Sequence, residues 1–177
     1  MGRFQPDRPW ESCITLGRQW SWKPDDELKP LDECVRTLVA CAGGDGNLLL
    51  NVGPMPTGEI EPRQAARLRE IGGWLKTHGE AVCGTRGGPF LPGEWGVSTH
   101  RERNVYVHAL HWPAAGPLVL PPLERRIVAS SVLGGGAAKA RQTAAGTAIH
   151  VDPPRRRPLD TVVRLELDHP AGTLTPR

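Results

Sequence analysis

Aromatic residues are scarce in this 177-residue chain, which holds one Tyr, two Phe and six Trp. With so few rings the core must be mainly aliphatic, and the Trp residues stand out as candidates for stacking. Long apolar runs are also lacking. No stretch approaches the roughly 18 apolar residues of a membrane-spanning helix, so a soluble protein with no membrane partner is expected. Neither sign of charge dominates, since 22 Lys/Arg against 19 Asp/Glu leave a net +3. The one dense basic run, Arg155, Arg156 and Arg157, is bracketed by prolines, and no aromatic residue is interleaved to stack on bases. No nucleic-acid partner is expected.

Metal-ligand spacing is missing as well. Cys13, Cys34, Cys41 and Cys83 form no CxxC pair and have no His at zinc-site distance. Cys34 and Cys41 share a helix face about 10 Å apart along the axis, too far for a disulfide. Buried free thiols are the expectation for all four. His100, His108 and His111 are close in sequence, yet alternation puts Tyr106, His108 and Leu110 on one strand face, and no metal site is assigned. The opening residues contain no apolar stretch of the kind found in a signal peptide.

What the chain has in quantity is punctuation: 21 Gly and 18 Pro, which excludes a helical bundle or coiled coil as the main architecture. The length would suit one ordinary domain or two small ones, and it is well short of the roughly 250 residues of a complete eight-stranded α/β barrel. Composition shifts near residue 90. Before it, 10–16 reads as a strand and 17–29 as a loop carrying Trp20 and Trp22. A helix then opens at Pro30 and shows an apolar stripe of Leu31, Cys34, Val35, Leu38 and Cys41 up to Gly43. Residues 47–52 (NLLLNV) are apolar without alternation, as in a parallel strand covered on both faces. A second helix opens at Pro62 with Leu68, Ile71, Trp74 and Leu75 on its inner face and stops at Gly79. After residue 90, 104–110, 117–120, 126–133, 147–151 and 161–167 are strand-length runs between Gly/Pro turns, which suggest a small antiparallel sandwich. Residues 134–146 read as a low-complexity loop or hairpin tip.

The densest polar and aromatic cluster is Trp10-Glu11, Trp20-Ser21-Trp22 and Gly43 to Asn51. A carboxylate flanked by indoles suits a sugar site, because indole faces cover the C–H side of a pyranose and partial desolvation lets a Glu keep its proton near neutral pH. Trp20 and Trp22, two apart, point to opposite sides if extended. The Gly43-Gly44-Asp45-Gly46 turn lacks the Gly-Lys-Ser/Thr of a phosphate loop.

Several motifs, in order, resemble one family: Arg8-Pro9-Trp10-Glu11-Ser12-Cys13-Ile14-Thr15, the 19–24 segment, Gly43-Gly44-Asp45-Gly46-Asn47-Leu48-Leu49-Leu50-Asn51-Val52-Gly53-Pro54, Ile71-Gly72-Gly73-Trp74-Leu75 and Gly79-Glu80-Ala81-Val82. They are similar to the C-terminal third of the catalytic domain of α-L-fucosidases, glycoside hydrolase family 29. The resemblance runs densely over 3–90 and more loosely over 100–170. It implies an α/β plus all-β fold: the last two βα units of a (β/α)8-type barrel over 1–83, a linker over 84–103 and a C-terminal β-sandwich over 104–177. It implies a retaining hydrolase of terminal α-L-fucosyl groups acting on fucosylated glycans or glycoconjugates without cofactor or metal, in a periplasmic, secreted or lysosome-like compartment. In that reading Glu11 is the general acid/base, and Trp10, Trp20 and Trp22 contact the sugar. The family's Trp-Gly-Tyr motif reads Trp-Ser-Trp here, which leaves Trp22 without a set role. The family's nucleophilic Asp has no counterpart in these residues, so the chain is expected to start inside a domain and to be inactive alone. The alternative is a non-catalytic carbohydrate-binding or interaction module.

Overall fold

The computed structural model describes residues 4–177. Two regions meet in it. The first is a βα segment in which β1 (Glu11–Thr15) is followed by α1 (Leu31–Gly43), β2 (Asn47–Asn51) and α2 (Pro62–His78). β1 and β2 pair in parallel, with Glu11 opposite Asn47 and Thr15 opposite Asn51. Pro30 precedes α1 in extended conformation and Pro62 opens α2, positions where a missing N–H costs nothing. Val35 and Val39 of α1 pack with Trp74 of α2, and Leu16 packs with Cys34 and Ile71.

The second region holds two antiparallel sheets. β3 (Arg86–Gly87), β4 (Gly96–Arg101), β5 (Asn104–Ala109), β7 (Ile127–Val132) and β10 (Thr161–Leu167) form one, in the order β3-β4-β5-β10-β7. β6 (Leu118–Leu120), β8 (Lys139–Thr143) and β9 (Gly146–His150) form the other, in the order β6-β9-β8. Side chains of both sheets share one aliphatic core, including Val105, Val107, Leu120, Ile149, Val163 and Leu165. Alternation explains it, because Val163, Leu165 and Leu167 of β10 are all fully buried.

Several expectations need correction. Residues 84–103, read as a linker, contain β3 and β4. Their Gly and Pro residues mimic a loop but serve close contact: a Cβ on Gly87 would lie 2.7 Å from the Asp45 nitrogen, so only glycine lets β3 touch the α1–β2 turn. Residues 134–146, read as a loop or hairpin tip, do hold the tip between β8 and β9 but also supply β8 itself, whose small and charged residues hide it because only one face is covered. Gln142 of β8 does further work, accepting from the Ile127 N–H (2.8 Å) and donating to the Arg125 carbonyl (2.7 Å), and so ties the two sheets. β2, read as covered on both faces, belongs to a two-stranded sheet with one face open, and Leu49 is 43% exposed. Leu68 is exposed too, because the covered stripe of α2 runs through Gln64, Ile71 and Trp74. Of the cysteines, Cys34 and Cys41 are buried, whereas Cys13 and Cys83 are exposed.

Candidate active site

In a parallel pair the two ends of the strands are chemically different, since loops leading into helices gather at the C-terminal end. That end holds Thr15, Asn51 and the loop between β1 and α1. The Thr15 hydroxyl donates to the Gly17 carbonyl at 2.5 Å, and the Asp26 carboxylate accepts from the Gln19 N–H at 3.1 Å, which folds the loop back on itself. Asn51 Nδ2 donates to the Trp20 carbonyl at 2.9 Å and fixes the loop over the end of β2. The Trp20 indole is left 58% exposed. Trp22 is half-buried, and its Nε1 donates to Glu61 Oε2 at 3.2 Å. Glu61 also pairs with Arg63, whose hydrogen bond holds the Glu61 carboxyl below the usual range. Trp22 is therefore an anchor for the loop, and Trp20 is the free ring at this end.

The opposite end holds Trp10 and Glu11. Trp10 Nε1 donates to the Gly44 carbonyl at 3.3 Å, and the indole lies flat on Gly46, where a Cβ would come within 2.2 Å of the ring. Glu11 is the first residue of β1, exposed and opposite Asn47. Four residue steps along the strand separate it from Thr15, about 13 Å at 3.3 Å per residue. The structure thus brings Trp10 and Glu11 together, and Trp20 and Trp22 together, but at opposite ends of one strand pair.

The junction beside Trp10 and Glu11 is strongly polar. Asp45, in left-handed conformation (φ 68°), accepts from Arg86 Nε (2.8 Å), Arg86 Nη2 (2.6 Å) and the Gly87 N–H (2.8 Å). Burial raises the Asp45 carboxyl, but the Arg86 and Gly87 donors outweigh it and leave it below the ordinary carboxylate range. His100 nearby is pushed down by burial. Farther in, His108 of β5 is fully buried, with Nδ1 2.7 Å from Asp160 Oδ2 and Nε2 3.2 Å from the Ala81 carbonyl. Sequence reading found the strand face of His108 but not this partner, 52 residues away. Among the described residues no group of three or more His, Cys, Asp or Glu side chains is placed to hold a metal ion, and no helix is long and apolar enough to cross a membrane.

The chain superposes on α-L-fucosidase isoenzyme 1 from Paenibacillus thiaminolyticus with a TM-score of 0.81 and 30% identity, covering 90% of this chain and 40% of that one. Residues 2–80 match the family model Alpha-L-fucosidase. Plasma alpha-L-fucosidase of Homo sapiens is 34% identical over 128 residues, which is 67% of this chain and 27% of that protein. Tissue alpha-L-fucosidase of Rattus norvegicus is 30% identical over 125 residues, 63% of this chain and 26% of that protein. The chain contains a region of the α-L-fucosidase family, glycoside hydrolase family 29. It spans about a quarter of the length of the curated relatives it matches.

Proposed function

We propose that residues 1–83 are the last two βα units of a (β/α)8-type barrel, that the antiparallel sheets form a C-terminal sandwich, and that the full-length protein removes terminal α-L-fucosyl groups from glycans or glycoconjugates. The observation that carries this reading is the parallel β1–β2 pair, bare on the face of Leu49 and Cys13 and open at its edges, within a segment that belongs to the α-L-fucosidase family. A parallel sheet is stable only when both faces are covered, and further barrel strands would cover this one. The boundary between the two parts falls within 84–103, with β3 and β4 on the side of the sandwich.

The mechanism that fits is double displacement. One carboxylate attacks the anomeric carbon as the other group protonates the departing oxygen, and water then resolves the glycosyl-enzyme, with the two carboxyl groups about 5 to 5.5 Å apart. Trp20, exposed at the C-terminal end of the strands, is the ring available to cover a sugar face. No metal or organic cofactor enters this scheme. The names of the relatives, plasma and tissue enzymes, support a secreted or lysosome-like compartment. A lone binding module is the weaker reading, because the family match falls on the βα region.

Glu11 as general acid/base rests on its Trp-Glu motif alone, and strand direction opposes it: a proton donor belongs at the end where Trp20 stands. The reading that fits the geometry gives Glu11 a place at strand entry and the protonation to another group. Two measurements test this. In the full-length protein, Trp20→Ala should lower kcat/KM for an aryl α-L-fucoside by about tenfold or more, equivalent to about 1.4 kcal/mol. Glu11→Gln should change turnover of a substrate with a poor leaving group by less than about threefold. A hundredfold loss that spares activated aryl fucosides would return the acid role to Glu11. The 177-residue chain alone should show no hydrolysis, and turnover by it would overturn the requirement for a partner carboxylate.

A further inference from the structure

The loop between β1 and α1 carries the free Trp20 ring, and the start of α2 grips that loop at two points. Trp22 Nε1 donates to Glu61 Oε2 at 3.2 Å, and Arg63 Nη1 donates to the Asp26 carbonyl at 3.3 Å. Arg63 also donates from Nε to Glu61 Oε1, so both carboxylate oxygens of Glu61 are used. Glu61 is the residue before α2, where a side-chain oxygen ordinarily accepts from an N–H of the first helical turn. It makes no such bond. The Glu61 side chain, 12% exposed, instead turns from its own helix to an indole 39 residues back along the chain. Gly53 brings the two loops into contact as well, because a Cβ there would lie 2.4 Å from the Trp22 nitrogen.

Trp20 is pinned from both sides. Asn51 holds its carbonyl, and two residues on, Glu61 holds the Trp22 indole, while the Trp20 ring itself stays exposed. A ring that is already in place when a sugar arrives loses little freedom on binding, so its preorganisation appears as affinity. We propose that Glu61 is a positioning residue for sugar binding: through the Trp22 indole it holds the 17–29 loop so that the Trp20 ring stands ready at the C-terminal end of the strands. The proposal rests on the fucoside-cleaving reading above and gives Trp22 of the Trp-Ser-Trp motif a task away from the sugar. Glu61 itself touches no substrate. A ring on a sugar face serves the ground state and the transition state alike, so its displacement is read in KM rather than in kcat.

The experiment is a double-mutant cycle on hydrolysis of an aryl α-L-fucoside by the full-length protein. Glu61→Ala should raise KM about fivefold and leave kcat within about twofold, and Trp22→Phe, which keeps a ring and removes the donor, should do the same. Glu61→Gln keeps an oxygen for the indole N–H and should bring KM back to within about twofold of wild type. In a Trp20→Ala background, Glu61→Ala should add less than about 1.5-fold, because the ring it positions is gone. An equal rise in KM in both backgrounds, or none in either, would overturn the proposal. Should Glu61→Ala not fold, Trp22→Phe completes the same cycle. A second readout needs no hydrolysis. In protein labelled with 5-fluorotryptophan, the 19F signal of Trp20, assigned by its loss in Trp20→Phe, should shift in Glu61→Ala and in Trp22→Phe and return in Glu61→Gln. A Trp20 signal unmoved by the first two changes would overturn the proposal even in an active enzyme. A moved signal in a protein that cleaves no fucoside would support the positioning of Trp20 by Glu61 and overturn the functional reading instead.

Discussion

The two regions meet the problem of a buried sheet in opposite ways. The β region covers its strands from within, since two antiparallel sheets turn their apolar faces toward each other, and β5 and β10 have no exposed inner residue. The βα region backs one face of two parallel strands with α1 and α2, and the other face carries Leu49 and Cys13 in the open. Antiparallel strands close by short hairpins within a local stretch of chain, whereas parallel strands need a crossover for each addition. The same number of residues therefore completes a core in one region and only part of one in the other.

That contrast can be broken by mutation. Leu165→Ala, deep between the sheets, should lose about 2 to 5 kcal/mol in urea unfolding, and a loss below 1 would mean that the β core is not closed. Asp160→Ala removes the partner of a fully buried His108 and should lose about 3 kcal/mol by the same measurement. A loss as small as that of an exposed residue would show that the pair is not what joins β5 to the approach of β10.

Asp45→Asn tests the joint between the regions. Asn tolerates the left-handed conformation at this position, so the change isolates the charge and should cost about 1 to 2 kcal/mol at neutral pH. The sign follows from the depressed carboxyl. The stabilisation is present above the unfolded value near 4 and fades as pH falls through the lower folded value, so wild type and variant should converge in acid. Curves that stay parallel down to pH 2 would remove the charge from the account. Smallest is Leu49→Ala, which should move the stability of the 177-residue chain by under about 0.5 kcal/mol but cost about 2 kcal/mol or more in the full-length protein. Equal small effects in both would mean that no further strands cover this face.

Legibility from sequence followed the same divide. α1 and α2 were readable because Leu31, Cys34, Val35 and Ile71, Trp74, Leu75 recur at helical spacing and prolines mark both starts. β5, β9 and β10 were readable by their apolar runs or alternation, whereas β4 was hidden among glycines and β8 among small and charged residues. The site was only half legible. Trp-Glu and Trp-Ser-Trp are conspicuous as motifs, but spacing along the chain carries no sign of which end of a strand a residue occupies.

By itself the sequence determined the helices, most of the strands, the family and the chemistry available, because those depend on local periodicity and on residue types in order. Tertiary structure decided that Trp10 and Glu11 stand at the opposite end from Trp20, that His108 meets Asp160 and that Asp45 holds β3. Each depends on strand direction or on contacts between residues that are 30 or more positions apart, and a linear pattern does not encode those distances.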